Sequence, residues 1–155
     1  MDFLLLKWVH VLSSTILFGT GIGTAFFMFM ANRRGEHSGI HFATRHVVIA
    51  DWLFTTPAVI VQLVSGVAMA VMLELEFSQG WVFWALALYF FVGACWLPVV
   101  WMQLKMRDMA KYAVEHNEEL PARYWQLDKL WIALGSLAFP AVVMIFWLMV
   151  FKPEF

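Results

Sequence analysis

Charged residues are missing from four long stretches of this chain. No Asp, Glu, Lys or Arg occurs in residues 8–32, 52–73, 77–104 and 130–151. Because a helix rises about 1.5 Å per residue, each stretch is long enough to cross the hydrocarbon layer of a bilayer, which is about 30 Å thick. The sequence therefore predicts an all-α membrane protein, built as a four-transmembrane-helix bundle.

Cysteine and net charge are also scarce. Cys95 is the single cysteine, which excludes a disulfide or a site of several thiolates within one chain. The formal net charge of −1 leaves no basic face for a phosphate backbone, so we expect no nucleic-acid partner. No Ala-x-Ala cleavage site follows the first apolar stretch, and we expect that stretch to stay in the protein.

What remains is strongly apolar, with 63% of the residues hydrophobic and 14% charged. A soluble domain averages about 45–50% apolar and about 25% charged residues, so the solvent of this chain is the lipid bilayer. The spans and their connections use the whole length, and we expect residues 1–155 to form a single domain. The predicted spans are approximately residues 3–31, 47–73, 79–106 and 127–151.

Basic residues are distributed unequally between the two ends of this bundle. The first and third connections carry eight of the ten Lys and Arg residues, namely Arg33, Arg34, Arg45, Lys105, Arg107, Lys111, Arg123 and Lys129. Lys7 and Lys152 lie at the opposite end. Because the cytoplasmic connections of membrane proteins carry an excess of Lys and Arg, this predicts both termini on the outer, periplasmic side of a bacterial inner membrane.

The two basic connections are expected to differ in structure. Residues 33–46 contain His37, His41 and His46, and we expect a solvated loop there. A transition-metal site on these imidazoles is the alternative. In the other connection, charges of both signs predict that the third helix continues into water and that the chain turns at Pro121.

His10 lies within the first charge-free stretch. One helical face places it beside small and polar side chains, which are Ser13, Ser14, Leu17, Gly21 and Thr24. Such a face can receive a flat cofactor or a neighbouring helix. A haem iron needs an axial ligand such as imidazole, close packing and hydrogen bonds that orient the ring, and Ser13 and Ser14 could supply such hydrogen bonds.

Two hypotheses for His10 stay open. In the first, His10 binds the iron of a haem b, and Met69 or Met144, which we expect at a similar depth, supplies the second axial ligand. In the second, His10 hydrogen-bonds another helix and fixes only the packing.

The second predicted span carries a polar stripe on one helical face. The members of this stripe lie within roughly 60° of one another on a helical projection and are Asp51, Thr55, Ala58, Gln62, Ser65, Met69 and Met72. The cost of burying a carboxylate predicts an ion pair from Asp51 to Lys129 or Arg45, or else a role for Asp51 in binding protons or substrate. We expect Pro57 to free a backbone carbonyl and kink the helix beside this stripe.

Gly19 and Gly23 form a pair of small residues four positions apart, on the face opposite His10. This spacing lets two membrane helices approach closely. It predicts a close contact inside the bundle or between the protomers of a homo-oligomer.

Three segments carry a resemblance to known proteins. They are Leu-Lys-Trp-Val-His-Val-Leu-Ser at residues 6–13, Asp-Trp-Leu-Phe-Thr-Thr-Pro at 51–57 and Tyr-Trp-Gln-Leu-Asp-Lys-Leu-Trp at 124–131. With the four predicted spans, they make the chain resemble the superfamily of small bacterial membrane proteins that includes HemJ and the CopD-type copper-resistance domains. Within it, the chain looks most like a branch of integral membrane proteins with no assigned function.

The HemJ resemblance implies a b-type haem on the first-span histidine, which is His10 here, and oxidation of protoporphyrinogen IX. HemJ-like proteins also place basic residues in later spans, whereas residues 77–104 contain neither Lys nor His. The CopD resemblance implies copper handling, although the methionines here lack the clustering that Cu(I) favours.

The leading hypothesis is a haem b-binding redox membrane protein that acts on a tetrapyrrole or a quinone. Protons or the partner molecule would then meet the polar intramembrane side chains, which are Asp51, Thr55, Gln62, Ser65 and Lys129. The alternatives are a non-catalytic assembly or accessory subunit, and a small transporter or copper-handling protein.

Overall fold

A computed structural model describes residues 2–78 and 80–154 of the chain. The main elements are four helices, α1 (Phe3–Arg34), α2 (His37–Met72), α3 (Gly80–His116) and α4 (Ala122–Phe151). No strand occurs in the described residues, and each of these helices is long and apolar enough to cross a membrane. The all-α fold and the four spans are therefore confirmed. The predicted start of the third span, at position 79, lies outside the described residues.

The first connection is a two-residue turn. Gly35 ends α1 in the left-handed conformation, with a φ of 72°, and α2 begins at His37. Ile40 and Val47, seven residues apart on one face of α2, are both buried in the bundle. The predicted loop over residues 33–46 is therefore wrong, because the glycine turn and this buried helical face make the segment part of α2.

The second hairpin extends beyond the bilayer. With 37 residues, α3 is about 55 Å long at about 1.5 Å per residue, which exceeds the hydrocarbon thickness of about 30 Å. Its last turns carry Arg107 and Lys111, and α4 begins at Ala122, directly after Pro121. The structure confirms that the third helix continues past its apolar stretch and that the chain turns at Pro121.

The four helices pack as two antiparallel hairpins, the first formed by α1 and α2 and the second by α3 and α4. The first part of α2 packs against α3 and joins the hairpins. The α1–α2 and α3–α4 turns and most Lys and Arg residues lie at one end of the bundle, which we call the basic end. The opposite end, where α1 begins and α4 ends, is the terminal end.

One apolar core holds the hairpins together at the basic end. Its buried members come from all four helices and from the α3–α4 turn, and they are Met28, Ile40, Val47, Met102, Met106, Ala110, Ala113, Leu120, Tyr124, Leu127 and Trp131. Alanines on α3 let its neighbours approach closely, which favours van der Waals packing between membrane helices. Toward the terminal end α1 and α4 make few close backbone approaches, and a cavity lies between the hairpins.

A π-helical turn interrupts α2 at Asp51–Thr55, where the Thr56 N–H donates to the Asp51 carbonyl five residues before it. Pro57 follows immediately and has no N–H for the carbonyl of Leu53, with which its ring would also clash in a regular α-helix. The wider turn accommodates the proline, and it leaves Asp51 and Thr55 buried. We expected a kink at Pro57, and the structure has this π-helical turn just before the proline.

A buried hydrogen-bonded trio joins α1 to α4 at the basic end. Asn32 Nδ2 donates to Asp128 Oδ1 at 2.7 Å, and the Tyr124 hydroxyl donates to Asn32 Oδ1, also at 2.7 Å. All three side chains are buried. Because the three side chains are buried in the protein, water does not replace a lost partner, so these bonds hold the first helix to the last.

Replacing Tyr124 with Phe should destabilise the protein by about 1–3 kcal/mol, because it leaves the buried Asn32 Oδ1 without a donor. The measurement is the free energy of unfolding in detergent micelles. Tyr112→Phe is the matched control, since Tyr112 lies on α3 and is 52% exposed. Equal stability of the two variants would contradict the role of the trio.

Candidate functional site

The cavity between the hairpins has a volume of about 1110 Å³. Its walls are mostly apolar side chains from all four helices. Charged, imidazole and amide side chains line it at three levels. From the terminal end to the basic end these levels contain Lys7 and Lys152, then His10 and Gln62, and then Asp51 and Gln103. The cavity therefore combines a long apolar interior with a few polar positions, as small-molecule sites do.

Side chains bridge the two gaps between the hairpins. On one side, the ring of Phe18 on α1 lies with its centroid 5.5 Å from those of Phe139 and Phe146 on α4. On the other side, the Tyr89 hydroxyl on α3 donates to the carbonyl of Val59 on α2 at 2.7 Å.

His10 belongs to a hydrogen-bonded network between α1 and α2. Gln62 Nε2 is a donor only, so His10 Nε2 accepts from it, at 2.9 Å. His10 Nδ1 then carries the proton and donates to Ser65 Oγ at 2.9 Å, and Ser65 Oγ donates to the Val61 carbonyl at 2.6 Å. Ser13 Oγ donates to Gln62 Oε1. Every polar atom of the imidazole has a partner within the first hairpin, as in the hypothesis that His10 hydrogen-bonds another helix.

Gly66 gives the imidazole its place against α2. A Cβ at this position would lie 3.1 Å from His10 Cε1 and 3.6 Å from His10 Nδ1. The ring edge that carries both nitrogens therefore faces α2 rather than the cavity. In this arrangement His10 has no free nitrogen for an iron ion, and haem ligation would require the bond to Gln62 or to Ser65 to break.

The other residues expected at a haem site are dispersed. Ser14 and Met69 line the cavity, and the Ser14 hydroxyl donates to the Val11 carbonyl at 2.7 Å. Met144 is 49% exposed and lies beside Trp147 in a separate shallow groove. The structure thus brings Met69, and not Met144, to the cavity that His10 lines.

Asp51 points into the bundle and is only 6% exposed. Thr55 Oγ1 donates to Asp51 Oδ1 at 2.8 Å. Across the described residues no ion pair involves Asp51, and both Lys129 and Arg45 are exposed. The predicted ion pair is therefore wrong, because the carboxylate faces the interior of the bundle while both cations lie on its surface.

Gln103 on α3 was not among the predicted site residues, and its side-chain amide lies within hydrogen-bonding reach of the Asp51 carboxylate. It is 5% exposed. Within the described part of the chain, neither Asp51 Oδ2 nor Gln103 Oε1 has a hydrogen-bond partner. The only sequence signal for Gln103 is that an amide side chain lies near the end of a charge-free stretch, two residues before Lys105. A helical projection of one helix does not show which neighbouring residue this amide meets.

The histidines of the first connection do not form a metal centre with other ligands. Among the described residues, no group of three or more His, Cys, Asp and Glu side chains lies close enough to hold an ion. His37 Nε2 lies 3.2 Å from Glu119 Oε2, and His46 Nδ1 donates to the Phe42 carbonyl at 2.7 Å.

The family model described as "Predicted integral membrane protein (DUF2269)" matches residues 4–153 of the chain. The chain belongs to this family. No curated protein and no solved structure matches it. For a DUF2269 chain, residence in the membrane follows from both the match and the four apolar helices, so its helices contact the lipid bilayer. The expected resemblance to an integral membrane family is confirmed, and the match does not extend to HemJ or CopD-type proteins.

Gly66→Ala should weaken the His10 network. The added methyl group meets the imidazole at 3.1 Å, and overpacking of this kind costs about 1–3 kcal/mol. Gly93→Ala is the control, since a Cβ there meets no atom within 4 Å. Both changes alter helix propensity similarly, so the difference between their unfolding free energies measures the clash. A difference near zero would show that the ring does not pack on α2.

Proposed function

We propose that this protein binds a membrane-soluble molecule of the quinone or tetrapyrrole class between its two helical hairpins. The observation that carries the proposal is the apolar cavity of about 1110 Å³. Drug-sized ligands occupy pockets of about 300–1,000 Å³, so this one has room for a large planar or isoprenoid molecule. Lateral gaps bridged by side chains supply a route from the bilayer.

The chemistry of the walls favours an apolar ligand over a small polar solute. Apart from its three polar levels and a few Ser, Thr and Tyr hydroxyl groups, the cavity is lined by aliphatic and aromatic side chains. A hydrated ion or metabolite would lose its water there without gaining hydrogen bonds. Transport of such a solute is therefore a weaker candidate than ligand binding.

The alternative that the protein is a non-catalytic assembly subunit explains part of the site. The fully paired His10, Gln62 and Ser65 network has the geometry of a helix-joining contact. A purely structural bundle gives no reason for a large cavity or for unpaired acceptors at its basic end. We therefore assign the network to support of the first hairpin and the cavity to function.

Haem b, with its one-electron redox chemistry, is the second candidate ligand. It is favoured by the position of His10 and Met69 on the wall of one cavity. It requires His10 to give up a hydrogen bond, and the proposed membership of the HemJ and CopD-like superfamily rests on the short segments quoted above. Copper handling is a third candidate, supported by the CopD resemblance alone.

The orientation in the membrane is part of the proposal. Eight of the ten Lys and Arg residues lie at the basic end. The positive-inside bias then places this end in the cytoplasm and the terminal end in the periplasm of a bacterial inner membrane.

Narrowing the cavity should weaken ligand binding. Gly93 lines the cavity and an added Cβ there meets no atom within 4 Å, so the side chain of Gly93→Leu begins in open space at the cavity wall. Titration with a short-chain benzoquinone should quench the fluorescence of Trp96 and Trp131, which line the same cavity. We expect saturable quenching in the wild type and affinity weakened by about tenfold or more in Gly93→Leu.

Ala94→Leu is the control for this experiment. Ala94 is the next residue on α3, is exposed, and does not line the cavity. It should bind the quinone as the wild type does. Non-saturable quenching that is equal in all three proteins would mean that the quinone only dissolves in the surrounding lipid, and would refute the proposal.

The haem candidate predicts a Soret band in protein purified in mild detergent and supplied with haem, and its loss in His10→Ala. His46→Ala serves as control, because His46 is exposed on the first part of α2. Absorption spectra recorded before and after dithionite provide the measurement. A protein that stays colourless removes haem from the candidates, and a band that survives in His10→Ala assigns the iron to another ligand.

A further inference from the structure

We propose that the basic end of the cavity binds a protonated amine, held by Asp51 on α2 and Gln103 on α3. The amine would be the head group of an otherwise apolar ligand. This inference rests on the proposed binding function of the cavity, and it adds the chemical class of the polar group that the cavity accepts.

Two buried acceptors without donors define the site. Asp51 Oδ2 and Gln103 Oε1 belong to side chains that are 6% and 5% exposed, they line the cavity, and neither has a partner among the described residues. A buried polar atom without a hydrogen bond costs about 1–3 kcal/mol. Both atoms are enclosed by the protein, so a ligand that brings donors to this level of the cavity removes both penalties when the two side chains part to admit its head group.

The π-helical turn directs one carboxylate oxygen to the site. Thr55, four residues after Asp51, donates to Asp51 Oδ1 at 2.8 Å and so fixes the carboxylate. Asp51 Oδ2 is left without a partner beside Gln103. The two acceptors come from different hairpins, because Asp51 lies on α2 and Gln103 on α3, and a donor between them would also join the hairpins.

The number of donors and the charge both favour an ammonium group over a hydroxyl. A hydroxyl has one hydrogen to donate and would leave one of the two acceptors unpaired, whereas an ammonium has three. Asp51 makes no ion pair in the described chain. A cation supplies the charge that a buried carboxylate requires, and hydrogen bonds between charged groups are roughly twice as strong as neutral ones.

Three probes with the same alkyl chain test the assignment in the full-length protein, reconstituted in phosphatidylcholine nanodiscs near neutral pH. Decylamine has charge and donors, decyltrimethylammonium has charge alone, and decanol has a single donor. Fluorescence of the cavity tryptophans reports binding. Decylamine should bind at least about tenfold more tightly than either of the other probes.

Two variants locate the site. Asp51→Asn should reduce decylamine affinity to that of decanol, and Gln103→Leu should weaken it several-fold, with helical circular dichroism and the thermal unfolding midpoint as checks that each variant is folded. Glu74→Gln removes a carboxylate from the exposed α2–α3 connection and should change nothing. The preference for decylamine over decanol in the wild type needs no variant, so it tests the proposal even if both substitutions prevent folding.

Each contrary result has its own meaning. Equal affinity for decylamine and decanol would overturn the claim that the site requires a charged head group. Equal affinity for decylamine and decyltrimethylammonium would overturn the claim that the head group donates hydrogen bonds to Asp51 and Gln103. If the benzoquinone binds and none of the alkyl probes does, this inference fails while the proposed function stands. If the benzoquinone also fails to bind, the proposed function fails with it.

Discussion

The packing of the two helical hairpins at the basic end is the interaction on which the rest of the structure depends. Within the bilayer, lipid tails are as apolar as leucine side chains, so close packing and side-chain hydrogen bonds must hold the helices together there. At the basic end, where α3 and α4 continue past their apolar stretches, removal of apolar surface from water also contributes. The core around Met28, Met106 and Tyr124 and the bonds from Asn32 to Tyr124 and Asp128 supply both at one end. Because the hairpins are fixed there, they can diverge toward the terminal end and leave room for a ligand.

The buried polar side chains divide into two kinds with different consequences. In the first hairpin, His10, Gln62 and Ser65 satisfy one another and add stability without presenting a free atom to the cavity. At the basic end, Asp51 and Gln103 each keep an acceptor without a partner. Fully paired polar groups explain how a pair of helices is held together, whereas acceptors without a partner have no such structural explanation. The functional argument therefore rests on the second kind, although His10 is the more conspicuous residue in the sequence.

The number and type of spans could be predicted because the absence of charge over whole helices is a property of each segment alone. The helical start of α2 was missed, since residues 33–46 are polar enough to resemble a loop and only contact with the core shows that Ile40 and Val47 need a helix. The partners of Asp51 depend on how α2 is rotated toward α3, which no single helical projection contains. The same holds for Gln103, whose role appears only when two helices from different hairpins are placed side by side.

Native mass spectrometry of the protein released from its own membranes tests the central claim most directly. The account predicts a bound apolar small molecule at one per chain, retained in the Ala94→Leu protein and reduced in the Gly93→Leu protein, in which a leucine side chain narrows the cavity. A wild-type protein that carries no adduct, or only phospholipid in amounts that Gly93→Leu does not change, would contradict the claim that the space between the hairpins is a ligand site.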